Sequence, residues 1–255
     1  MSREVLANFT MSKEHGSACC SALVVLHQEH STPGKVGEYL KRRGLKLDRC
    51  CPSIGDSLPE DLSGYSAAVI FGGPQSANDD ADPAIRAELD WLERVALKSP
   101  IPILGICLGA QQIARVLGSR VGPHPDGRVE IGYWCVSPTE MGRDFLSEPT
   151  VFYQWHSETF DVPRCAQHLA HNEAFSGQAF CYDEHVYAIE FHPEITREMV
   201  DRWCTSEKGR EKLSLRGAQS HAEQLEGYDR YSPISDRWVN TFLDRYLLAG
   251  ARRPD

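Results

Sequence analysis

From residue 22 to residue 192 the chain alternates short continuous apolar runs with longer stretches in which apolar residues recur every three or four positions. Residues 22–26 (ALVVL), 67–71 (AAVIF) and 101–106 (IPILGI) read as strands buried on both faces. The segments between them read as helices. Residues 33–43 carry Val36, Tyr39 and Leu40 at helical spacing and stop at Gly44. Asp82 and Pro83 supply an N-cap and a first-turn proline for a helix whose apolar face holds Ile85, Leu89, Leu92 and Ala96. A third helix over about 109–117 ends at Gly118. This βαβα order predicts a parallel sheet covered by helices, with reactive groups at the carboxyl ends of the strands.

The second half has a different rhythm. Residues 132–136, 151–154, 178–182 and 186–191 read as strands with short connections, the last two joined through Asp183-Glu184 as a hairpin. After Trp203 come a polar stretch and a final amphipathic helix carrying Trp238, Phe242, Tyr246 and Leu247 on one side, expected to pack on the parent domain. With no internal repeat, low-complexity segment or linker, the chain reads as one mixed α/β domain.

Composition narrows the partners. Of 255 residues 41% are hydrophobic and 25% charged, which is ordinary globular usage. A net charge of -9 argues against nucleic acid and anionic membranes, since either would be repelled over most of the surface. No signal-like or bilayer-length apolar segment is present, so a soluble, cytoplasmic protein acting on small molecules or proteins is expected. The nine cysteines show no disulfide framework and are expected to be reduced. Cys19-Cys20 and Cys50-Cys51 lack the spacer that lets two sulfurs converge on zinc, and His27-Gln28-Glu29-His30 reads as a loop, so no metal site is expected. The sequon Asn8-Phe9-Thr10 has no meaning without secretion.

Three stretches carry candidate chemistry. In Gly105-Ile106-Cys107-Leu108-Gly109 a thiol stands where a strand turns into a helix, and glycines on both sides let the neighbouring backbone pass. Such a turn should expose the side chain at the sheet's edge, and the helix N-terminus should favour its thiolate. In Tyr187-Ala188-Ile189-Glu190-Phe191-His192-Pro193-Glu194, His192 and Glu194 stand two apart, so extended geometry would point both the same way and let the carboxylate hold the imidazole. In Phe71-Gly72-Gly73-Pro74-Gln75-Ser76, two glycines after a buried strand leave backbone N–H groups free to face a ligand.

Together, GICLGAQ, FGGPQS and FHPE, in this order, resemble the class I glutamine amidotransferase domains, over about residues 22–203. The resemblance implies a mixed, mostly parallel central sheet of flavodoxin-like type, with residues 1–21 as an N-terminal extension and 204–255 as a C-terminal helical extension. It implies a Cys107, His192, Glu194 triad and an oxyanion hole from the backbone N–H groups of Gly73 and Leu108. Gln111, Gln75, His156 and Ser157 fall where family members hold the glutamyl part of the substrate. The implied reaction is cleavage of a γ-amide of glutamine or a γ-glutamyl compound through a Cys107 thioester, with no cofactor. FYQWHSETFDVP with GICLGAQQIA looks most like free-standing proteins related to the glutaminase domain of GMP synthase. A glutaminase subunit feeding a separate synthetase, and a regulatory domain that only binds, remain as alternatives. Leu108 argues against the related branch in which histidine follows the cysteine, and the parallel pattern argues against a papain-like peptidase.

Overall fold

The computed structural model describes residues 21–249, so Asn8, Cys19-Cys20 and all but the last residue of the N-terminal extension lie outside the described residues. In chain order the elements are β1 (Ser21–Val25), α1 (Gly34–Arg42), β2 (Lys46–Cys50), β3 (Ala67–Ile70), α2 (Pro83–Arg94), β4 (Ile103–Ile106) and α3 (Leu108–Val116). They continue with β5 (Val121–Pro123), β6 (Glu130–Pro138), β7 (Thr150–His156), β8 (Glu158–Phe160), β9 (Gln167–His171), β10 (Ala179–Tyr182) and β11 (Val186–Ile189). Helices α4 (Arg197–Thr205), α5 (Glu207–Lys212) and α6 (His221–Phe242) close the order, the last running into a π-helical turn, Leu243–Leu247.

Nine strands form one sheet in the order β2-β1-β3-β4-β11-β10-β9-β6-β7, and β5 pairs with β8 as a separate ribbon. From β2 to β11 the neighbours run parallel. From β11 to β7 they run antiparallel. The architecture is a single mixed, mostly parallel α/β domain. Strand β1 shows why the early runs are apolar throughout: Ala22 and Val24 join the cluster under α1 and α6, while Leu23 and Val25 join the cluster under α2 and α3. Each fully buried leucine or valine among them contributes roughly 1.5–3 kcal/mol.

Asp82 caps α2 by accepting from the Ala84 N–H at 2.8 Å, as its position predicts. Asp183 and Glu184 both take positive φ, 50° and 61°, in the three-residue connection Asp183-Glu184-His185 that joins β10 to β11 as an antiparallel hairpin. Two departures have physical causes. Strand β2, with the sequence KLDRC, is a polar edge strand exposed along most of its length and so carries no apolar run. The polar stretch after Trp203 is helical: α5 and the first half of α6 bury Gly209, Gln224 and Gly227 instead of large apolar residues. The second half of α6 delivers Trp238 and Phe242 against Phe145. Among the described residues no helix is long and apolar enough to cross a membrane.

Candidate active site

Cys107 stands between β4 and α3 with φ 49° and ψ -105°, a strained conformation for a residue with a side chain. Its N–H donates to Ile189 O at 2.8 Å, tying the elbow to the end of β11. The flanking glycines are demanded by close approach. A methyl group on Gly109 would lie 2.3 Å from Ile70 O, and one on Gly105 2.6 Å from Ile113 Cδ1. The thiol is buried, contrary to the exposed position expected of the turn: Cys107 is 6% exposed and borders a cavity that residues of the helices after β11, among them Met199, Trp203 and Lys212, also line.

His192 and Glu194 lie beyond the end of β11, in a turn and not in extended strand. The pair nevertheless meets, with His192 Nδ1 2.7 Å from Glu194 Oε1. The carboxylate accepts, so Nδ1 carries the hydrogen, and Nε2 is left buried with no partner among the described residues. Trp203 packs edge-on against the imidazole at 5.1 Å, and His192 N–H donates to Tyr153 O at 2.8 Å. Gly72 lies close against both the imidazole and the thiol: a methyl group there would lie 2.8 Å from His192 Cε1 and 3.5 Å from Cys107 Cβ. Cys107, His192 and Glu194 thus border one cavity of about 370 Å³, together with Gly72, Gly73 and Trp155.

Behind the thiol lies a set of buried charges that sequence patterns did not reveal. Glu190 accepts from Gln111 Nε2 at 2.7 Å, and the same amide donates to Glu158 O at 3.0 Å. Glu130 accepts from His156 Nε2 at 3.0 Å and from Gln178 Nε2 at 2.8 Å. Burial pushes Glu190 up to about 7, against the pull of His156 and the Gln111 hydrogen bond. Burial lowers His156, but the carboxylates of Glu190 and Glu130 outweigh it and hold the imidazole at about 9. Burial and then the Glu190 charge push the Cys107 thiol up to about 12, against His156 and Lys212. Burial and the Glu190 charge thus oppose the thiolate expected from the helix N-terminus. Replacing Glu190 by Gln keeps the acceptor for Gln111 and removes a negative charge, so the thiol titration should move downward by at least about one unit. Alkylation rate against pH measures this, and an unchanged profile would show that Glu190 does not act on Cys107.

Gln111, Gln75, His156 and Ser157 do not line the cavity. The amide of Gln111 and both ring nitrogens of His156 are occupied by protein partners, and Gln75 Nε2 donates to His27 O at 3.1 Å. Gly73 borders the cavity, and Leu108 opens α3, where its N–H has no intrahelical carbonyl. Neither N–H has a hydrogen-bond partner among the described residues. Sequence reasoning missed Arg202, Lys208 and Lys212, which bring three cations to the cavity with no ion pair among the described residues. Their polar helical context gave no signal. Among the described residues no group of three or more His, Cys, Asp or Glu is arranged to hold a metal ion.

A strained cysteine at a strand-to-helix turn, on a mixed sheet, with a histidine–glutamate pair just beyond the adjacent strand, places this site at the carboxyl ends of the strands of an α/β protein. The family model for glutamine amidotransferase class-I matches residues 35–204, and the chain belongs to that family. It is 28% identical over 186 residues to the glutamine amidotransferase-like protein YfeJ of Salmonella typhimurium, covering 69% of this chain and 77% of that protein. It is 31% identical over 164 residues to the GMP synthase [glutamine-hydrolyzing] of Porphyromonas gingivalis, covering 62% of this chain but only 31% of the synthase. Among solved structures, a glutamine amido transferase from Methylobacillus flagellatus superposes with a TM-score of 0.82 at 26% identity, over 94% of this chain and 98% of that one.

Proposed function

We propose that the protein is a cysteine-dependent amidase that cleaves the γ-amide of glutamine or of a γ-glutamyl compound. The observation that carries this reading is the open His192 Nε2, buried and without a partner among the described residues, on a residue that borders the same cavity as Cys107, while Nδ1 is held by Glu194. As Sγ attacks the γ-carbonyl carbon, its proton passes to Nε2, which explains how a thiol held near 12 becomes a nucleophile. The carbonyl oxygen, now negative, takes the N–H groups of Gly73 and Leu108. The C–N bond breaks as His192 returns the proton to the departing nitrogen, leaving a γ-glutamyl thioester. Water then attacks the thioester carbon, giving its proton to His192, and glutamate leaves as the thiol is re-formed. Gln111 and His156 act from behind the thiol, through Glu190, and Arg202, Lys208 and Lys212 offer positive charge to the carboxylates of a glutamyl substrate.

The similarity to a glutamine-hydrolysing synthase favours one second reading, a glutaminase that passes ammonia to a separate synthetase. The purified chain, incubated alone with glutamine and a panel of γ-glutamyl amides and peptides, should release glutamate from at least one of them. Release only after a synthetase is added would replace the hydrolase by the subunit. Binding of glutamine with no release under either condition would leave a regulatory domain and overturn both.

A further inference from the structure

His27, Glu88 and Gln112 form a buried polar chain that the reaction above leaves unused. His27 follows β1, Glu88 stands on the inward face of α2 and Gln112 on that of α3, none more than 2% exposed. Glu88 Oε2 lies 2.7 Å from His27 Nε2 and 2.8 Å from Gln112 Nε2. The other ring nitrogen of His27, Nδ1, is 3.2 Å from Gly72 O. A carbonyl only accepts, so Nδ1 carries a hydrogen and donates it. The backbone of His27 is itself tied down, its carbonyl accepting from Ser53 Oγ at 2.9 Å and from Gln75 Nε2.

The direction of this bond matters because the C=O and N–H of a trans peptide point opposite ways. No described peptide is cis. Holding Gly72 O toward His27 therefore turns the Gly73 N–H away from His27, where it has no partner among the described residues. Two consecutive glycines would otherwise leave this peptide free to rotate. A buried ionisable pair contributes little stability compared with apolar residues of the same volume, and what it contributes here is orientation.

We propose that Glu88 and His27 are positioning residues that fix the Gly72–Gly73 peptide with its N–H presented to the oxygen developing negative charge beside Cys107. The inference rests on the amide chemistry proposed for that site. Gln75 gains a role in it, as a brace on His27 and not as a substrate contact.

Two double variants separate orientation from packing. His27→Leu with Glu88→Gln removes the donor to Gly72 O without stranding a lone buried carboxylate. His27→Asn with Glu88→Gln keeps an amide N–H where Nδ1 stood. An aldehyde analogue of glutamine, which forms a tetrahedral adduct with the thiol, reads the oxyanion site, and iodoacetamide alkylation reads the thiol without an oxyanion. The Leu variant should bind the aldehyde about 100-fold more weakly than the Asn variant, while their alkylation rates agree within about twofold. Equal aldehyde affinity in the two variants, or equal losses toward both reagents, would overturn the positioning role. Failure of the unsubstituted protein to form the aldehyde adduct at Cys107 would overturn the amide chemistry, and this inference with it.

Discussion

Cys107→Ala should abolish glutamate release, a loss of about five orders of magnitude or more in kcat, because no other group supplies the covalent step. An electrophilic glutamine analogue should label the unsubstituted protein at Cys107 and leave the variant unmodified. The test is demanding, since Cys135 and Cys165 are exposed while Cys107 is buried. Simple access to reagent would favour the exposed thiols. On the proposed mechanism, recognition by the cavity and proton transfer to His192 should favour the buried one. Peptide mapping that found the adduct at Cys135 or Cys165 would remove Cys107 from the mechanism.

Glu194→Gln should lower kcat by about 10²- to 10⁴-fold and leave KM within about threefold. The carboxylate holds Nδ1 and faces the positive charge that develops on His192 only along the reaction path. A neutral amide keeps the shape and loses the charge. The segment should stay in place, because Glu194 O remains anchored by the Lys35 N–H at 2.9 Å. Steady-state kinetics on one γ-glutamyl substrate suffices, and a change confined to KM would make Glu194 a binding residue.

The parallel half of the sheet was legible because strands β1, β3 and β4 are buried on both faces and carry no polar residue at any buried position. The elbow was legible because close approach to Ile70 and Ile113 requires glycine at both flanks. What escaped reading was polar and buried. Glu88 stands three residues after Ile85 and four before Leu92, on the core face of α2, where an acid in an apolar stripe was the available sign. Glu190 likewise interrupts the run Tyr187-Ala188-Ile189-Glu190-Phe191. Gln224 and Gly227 hid the first half of α6 by placing an amide oxygen that accepts from Tyr153 Oη and a bare backbone on the Tyr133 ring where aliphatic side chains usually stand. Spacing along a chain reports which residues share a face, and partners such as these are fixed only when distant elements meet.

The seam between β4 and β11 has a consequence for the birth of the protein. Ile106 pairs with Ile189, so Cys107 and the His192–Glu194 pair, the proposed nucleophile and its base, are brought to one cavity by a parallel ladder between residues far apart in sequence. During synthesis the thiol leaves the ribosome well before β11 exists, and until that strand docks it is an ordinary cysteine with neither elbow nor base. On the proposed mechanism, reactivity should thus be withheld from the nascent chain and conferred by the late, long-range step that completes the sheet.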